Sequence, residues 1–357
     1  MRAVILVGGE GTRLRPLTYT VPKQMLPVVE VPMIERVVGH LVAHGITDVV
    51  LSLGYRPDAF TAAYPDGRCA GAALTYVVEA APLDTAGAIR FAATEAGIDD
   101  TFLVLNGDVL TDLDLTALVR FHRERGGEAT IALAPVPDPS AFGVVVTGAK
   151  GQVEAFIEKP PPGTAPSNLI NAGTYVLEPA VLGRIAASGR VNIERETFPA
   201  LVTDGRLFAL RSDVYWLDVG TPERYVQASI DLLDGRRPGP PVPDAQAIAG
   251  QSWAMPDAVV EGDATTSFVG TGASVARGAT VECAVVGRGA SVGDGAVLRR
   301  SVVLAGARIE DGAEVHESVV GPSATVGSRA VVRGWTVVGA DAVVEDGTNH
   351  EGARLPA

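Results

Sequence analysis

Short apolar runs alternate with amphipathic stretches over the first hundred residues. Ala3-Val4-Ile5-Leu6-Val7 is apolar throughout, as a strand buried on both faces of a parallel sheet must be. Pro32 opens a helix on which Met33, Ile34, Val37, Val38 and Leu41 recur, and Gly45 closes it. Residues 48–53 form the next buried strand and 74–78 another. Residues 85–96 form a helix stopped by Gly97, and Phe102 to Leu105 is a strand running straight into Asn106-Gly107-Asp108. This rhythm predicts an open, mostly parallel α/β sheet with helices on both faces. The pattern then changes to a strand over 128–136, a hairpin from 142–146 and 152–157, and a strand over 168–177. Pro222 opens a last helix, ending near Leu233.

Beyond that helix the periodicity shortens. Residues 236–254 are rich in proline and glycine and read as a linker between a domain over 1–235 and another over 255–357. From Val269 the branched residues Val275, Val281, Val286, Val292, Val297, Val303, Ile309, Val315, Val320, Val326, Val332, Val338 and Val344 recur at steps of five or six. One inward residue per six is the hexapeptide repeat of a parallel β-helix, predicted here as left-handed. Each coil needs its neighbour to bury that residue.

Composition narrows the class. At 357 residues two domains are expected, and 47% hydrophobic with 20% charged residues describes a globular protein. A net charge of -13 argues against nucleic acid or an anionic membrane as partner. Two cysteines, Cys69 and Cys283, offer neither a disulfide framework nor zinc spacing. With no spanning stretch and no signal peptide, the expected compartment is the cytoplasm.

An acidic protein that binds an anion must gather positive charge locally. Gly8, Gly9 and Gly11 follow the first strand, with Thr12, Arg13, Arg15 and Lys23 just beyond. Backbone N–H groups freed by glycine, backed by fixed cations, suit a triphosphate. The loop is neither a dinucleotide fingerprint, since Leu14 stands where a third glycine belongs, nor a P-loop, since Gly-Lys-Ser/Thr is absent. Asp108 and Asp218 each end a short apolar segment. Two separated carboxylates with phosphate oxygens make a magnesium site. No Ser-His-Asp or Cys-His set is apparent.

GGEGTRLRPLT followed by PKQMLPV resembles the signature of sugar-1-phosphate nucleotidylyltransferases. The resemblance implies a Rossmann-like nucleotidyltransferase sheet followed by a left-handed β-helix, acting on GTP or another nucleoside triphosphate and a sugar 1-phosphate. It implies nucleotide contacts from Gly8, Gly9, Gly11, Thr12, Arg13, Lys23, Glu79, Thr85 and Gly87, with Mg2+ held by Asp108 and Asp218. Sugar-phosphate contacts fall to Asn106, Gly143, Glu158, Lys159 and Asn171, where Gly143 lets the backbone approach the ring and Lys159 pairs with the phosphate. A carboxylate at Glu79 suits guanine, whose N1–H and N2 amino group both donate, and so favours GTP, with mannose 1-phosphate as acceptor. The spelling Lys23-Gln24-Met25-Leu26-Pro27 leans toward thymidylyl or uridylyl transfer to glucose 1-phosphate. Asp84 stands where relatives usually carry glycine. The β-helix is expected to build a homo-oligomer. An acyltransferase role for it would rest on His316 or His350, and a catalytically silent subunit would have lost the metal or phosphate ligands that stand here.

Overall fold

The computed structural model describes residues 1–236 and 241–356. Part of the predicted linker, residues 237–240, lies outside the described residues. The chain divides into two compact units: residues 1–9 with 34–217, and residues 10–33 with 218–357. Gly11 with the cations that follow it and the helix Pro222–Leu233 are grouped with the repeats, while Gly8 and Gly9 stay with the first unit.

The first unit is built on a ten-stranded sheet. Ala3–Leu6 lies at its middle, parallel to Asp48–Leu53 on one side and to Phe102–Asn106 on the other. Ala72–Val78 extends the parallel half. The other half is antiparallel because Leu169–Leu177 runs against Phe102–Asn106 and against Ala129–Pro135. Gly143–Thr147 and Val153–Glu158 form the expected hairpin at the edge. The central strands are buried along all but their ends, which is why they read as mostly apolar runs. Helices Met33–Ala43 and Asp84–Glu95 fall where the pattern puts them. Helix Leu115–Arg125, capped by Asp114, and strand Leu207–Arg211 add to that pattern.

The C-terminal half of the second unit is the left-handed parallel β-helix, with three sheets of eight, six and six strands. Partners in adjacent coils are 17 residues apart, as Val269 with Val286 and Val286 with Val303. One step near the end takes 18, pairing Val320 with Val338, before Val338 pairs with Leu355 at 17 again. The inward positions form one core of valine, isoleucine and alanine. One expectation fails: the core residue in its row is Leu298, aligned with Val281 and Val315, while Val297 is only half-buried. A five-residue step after Val292 and a six-residue step are both compatible with valine spacing, and the corner decides between them. Strands Gln246–Ile248 and Ser252–Ala254, inside the predicted linker, belong to the first face of the helix. Proline-rich composition hid them. His316 pairs with Glu314, Nε2 to Oε2 at 3.0 Å. Among the described residues no helix is long and apolar enough to cross a membrane.

Candidate active site

In the first unit the carboxyl ends of the parallel strands come together. The Ala3–Leu6 strand delivers Gly8 and Gly9, exposed at its end. Val7 N–H still bonds Ser52 across to the neighbouring strand at 3.1 Å. Gly8 lies against Gly54 and close to the Glu79 carboxylate, so a side chain on Gly54 would meet the Gly8 backbone at 3.2 Å. Both oxygens of Glu79 are placed by the chain itself. Oε1 accepts from Ser52 Oγ at 3.1 Å and Oε2 from Leu83 N–H at 3.1 Å. A carboxylate has about four lone-pair sites, so Glu79 keeps capacity for two further donors.

Asp84, the departure from the family pattern, adopts φ +61°, a conformation natural to glycine that aspartate tolerates better than most residues. Its Oδ1 accepts from Thr85 N–H at 2.8 Å and from Asn192 Nδ2 at 3.0 Å. The carboxylate is thus tied to its own surroundings. Thr85 Oγ1 accepts from Ile193 N–H at 2.9 Å and donates to Glu194 Oε2 at 3.1 Å. Burial, with the negative charge of Glu158 behind it, holds the Glu194 carboxyl above its ordinary range. Glu194 was missed because a glutamate in the run Ile193-Glu194-Arg195-Glu196 shows no burial signal. Gly87 is buried inside its helix, where its N–H bonds the Val191 carbonyl at 3.2 Å.

The predicted sugar half gathers around the Leu169–Leu177 strand. Asn171 donates from Nδ2 to the Tyr175 hydroxyl at 2.9 Å and accepts Gly173 N–H at 3.0 Å. Between Asn171 and Tyr175 the pairing register shifts, and at φ +72° Gly173 leaves room for the Asn106 side chain. Asn106 and Asn171 therefore flank one glycine. Gly143 is opposite Glu158 in the hairpin; a Cβ there would meet the Phe156 ring at 2.6 Å and Glu158 Oε2 at 3.1 Å. Its visible role is to admit those two side chains. Lys159, at φ +49° and largely exposed, has Nζ 3.3 Å from Glu158 Oε1. Asp108 follows Asn106-Gly107, and Gly107 is packed so closely on Val7 and Leu6 that it carries no side chain.

In the second unit Gly11 takes the left-handed conformation, φ +61°. Thr18 Oγ1 caps its carbonyl at 2.9 Å, and a side chain on Gly11 would press on Lys23. Thr12 and Arg13 are exposed in the short turn that follows. The Arg13 guanidinium covers Gly220, and the Asp218 Oδ1 lies beside the same glycine. Arg224, in the first turn of helix Pro222–Leu233, holds Asp218 Oδ2 at 3.1 Å. The loop cation and the second aspartate, more than two hundred residues apart, thus share one glycine. Arg224 was not foreseen: nothing in its spacing marks it apart from any helical arginine. Strand Trp216–Asp218 pairs with Val109–Thr111.

Residues 2–235 match the nucleotidyl transferase family, and residues 264–355 match the GMPPB C-terminal domain. A mannose-1-phosphate guanylyltransferase of Mycobacterium tuberculosis is 40% identical over 288 residues, 79% of this chain and 79% of that protein. A mannose-1-phosphate guanyltransferase of Aspergillus fumigatus is 42% identical over 232 residues, 63% of this chain and 62% of its own length. The structure of HddC from Yersinia pseudotuberculosis complexed with GMP-PN superposes with a TM-score of 0.56 at 27% identity, covering 64% of this chain and 97% of that one.

Proposed function

The chain belongs to the nucleotidyl transferase family, and we propose that it transfers GMP from GTP to mannose 1-phosphate, releasing pyrophosphate and forming GDP-mannose. One observation carries the residue assignment: Arg13, two residues past the left-handed Gly11, and Asp218 meet over Gly220. A cation for the departing phosphates and an acid for a metal are then neighbours, as in-line displacement at a phosphorus requires.

A sugar 1-phosphate is already ionised at neutral pH, so its oxygen attacks the α-phosphorus without a general base. Alignment is the main task, worth on the order of 7–11 kcal/mol. Arg13 and Lys23 grip the triphosphate together with N–H groups of the loop Gly8, Gly9, Gly11 and Thr12. The spare lone pairs of Glu79 accept guanine N1–H and N2–H, and Thr85 and Gly87 complete the proposed nucleotide contacts. Asn106, Glu158 and Asn171 hold sugar hydroxyls, and Lys159 holds the attacking phosphate. The residues fit magnesium. Among the described residues no trio of His, Cys, Asp or Glu could hold a metal alone, and magnesium takes one or two carboxylates and fills its shell with phosphate and water. Asp108 and Asp218 would hold it, and it would neutralise charge developing on the phosphates. Assembly through the β-helix and a cytoplasmic location complete the proposal.

A second reading has its own support. The PKQMLP spelling and a solved neighbour, a putative glucose-1-phosphate thymidylyltransferase from Bacillus anthracis (TM-score 0.58, 26% identity), favour thymidylyl transfer. Incubating the protein and Mg2+ with GTP, dTTP, UTP or ATP against mannose and glucose 1-phosphates, and following pyrophosphate, separates the two. Pyrophosphate from GTP with mannose 1-phosphate is expected; release only from dTTP with glucose 1-phosphate selects the alternative, and none from any pairing sinks both.

A further inference from the structure

Residues 27–32 form a hairpin in which Pro27 pairs with Pro32 and Val28 with Val31. Its two central residues, Val29 and Glu30, lie at φ +50° and +61°. Such a turn asks for Asn-Gly, and a β-branched residue is the worst choice for it. The turn persists only if its surroundings over-determine it. Those surroundings lie within the second unit. Glu30 is nearly buried, its side chain 7% exposed. Oε1 accepts from Thr271 N–H at 3.1 Å and Oε2 from Thr271 Oγ1 at 3.3 Å, with Arg288 at 4.0 Å. The neighbouring Gly270 has no side chain, and one there would collide with the carboxylate. The first coil of the β-helix thus carries a built receptor for one carboxylate. On the hairpin's other side the Tyr225 hydroxyl bonds the Pro27 carbonyl.

We propose that Glu30 is a positioning residue, through which the β-helix sets the loop that grips the triphosphate. The connection is short. Met33 N–H bonds the Leu26 carbonyl at 3.1 Å, Leu26 N–H bonds the Lys23 carbonyl at 3.1 Å, and Lys23 abuts Gly11. Releasing Glu30 from Thr271 frees the turn and with it the cation that follows the glycines. The role gives the β-helix a part in nucleotide binding besides assembly, and it rests on the reading of Lys23 and Arg13 as the triphosphate grip.

The test uses full-length Glu30→Ala, Thr271→Val and the double variant, with Glu30→Gln as the conservative control. Each single variant is expected to raise KM for the nucleotide about tenfold, the worth of one charge-assisted hydrogen bond. KM for the sugar 1-phosphate should stay unchanged. The double variant should be no worse than either single, because both cut one tether, and Glu30→Gln should recover most of the loss. Hydrogen exchange of amides 11–26 should quicken in Glu30→Ala and Thr271→Val while the β-helix core stays protected. Wild-type nucleotide KM with wild-type exchange in Glu30→Ala, or additive losses in the double variant, overturns the proposal. Exchange is read without turnover, so a chain that releases no pyrophosphate would sink the proposed reaction and leave the tether to be judged on exchange alone.

Discussion

Asp218 shows how little a residue's neighbours in sequence say about its company in space. Its Oδ2 is held by Arg224 and its Oδ1 lies beside the glycine that Arg13 covers. The carboxylate is thus placed before any ligand arrives. Asp218→Asn keeps the shape and one acceptor oxygen for Arg224 and removes the charge that the proposed metal site needs. It should lower kcat at least ~100-fold with an unchanged unfolding midpoint; near-wild-type turnover would take Asp218 out of the site. Glu194 makes a separate case. Burial raises its carboxyl pKa above the ordinary 4.5, so the folded chain keeps that proton to higher pH than the unfolded chain does. Stability must then fall as pH rises through the window that opens at the ordinary value. Glu194→Gln should be at least as stable as wild type at about pH 7.5, with the difference closing toward about pH 4. Urea midpoints across that range check it, and a variant weaker at the higher pH contradicts it. Asp84 was legible as a departure, and the conformation behind the usual glycine became visible only as a φ of +61°.

At the scale of elements, strands buried on both faces were the easiest to read, because a run such as Phe102-Leu103-Val104-Leu105 leaves no polar position to misplace. The repeats were legible in kind and wrong in one place. Coils alternate two six-residue steps with one of five, and a corner absorbs the difference, so adjacent valines compete for the inward position. Leu298 wins and Val297 faces the other side. Leu298→Ala should cost about 2–5 kcal/mol, and Val297→Ala well under half of that, measured by denaturant unfolding. Equal losses would put the register in error. The hairpin over 27–32 was not legible at all, since Val-Glu is a poor choice for its turn and the partner that secures it lies some 240 residues on.

For the molecule as a whole, the sequence divides near residue 235, where composition turns to proline and glycine, yet contacts group residues 10–33 and 218–235 with the repeats. Three pairs within that unit show why: Glu30 with Thr271, Gln227 with Arg300, and Pro16 against Gly339. Phe268, Val285, Val302, Val319 and Val337 alternate with the inward core residues and so point away from it, yet each is buried. A β-helix face that apolar needs a cover. Cutting the chain after residue 235 should therefore leave a fragment that aggregates or binds a hydrophobic dye, where the full chain does neither. A soluble monomeric fragment with full nucleotide affinity would show that the first 235 residues stand alone.

The chain's own letters determined the alternation of strands and helices, the glycine loop, the repeat and the family to which its signature points. Those follow from local rules: alternation, torsional freedom and periodic burial act over a few residues. Only the folded chain decided that Arg13 attends Asp218, that Asp84 is tied to Asn192, and that the turn at Glu30 is fastened to the β-helix. Each of these joins residues far apart along the chain, and such pairings exist only after the backbone has closed the distance.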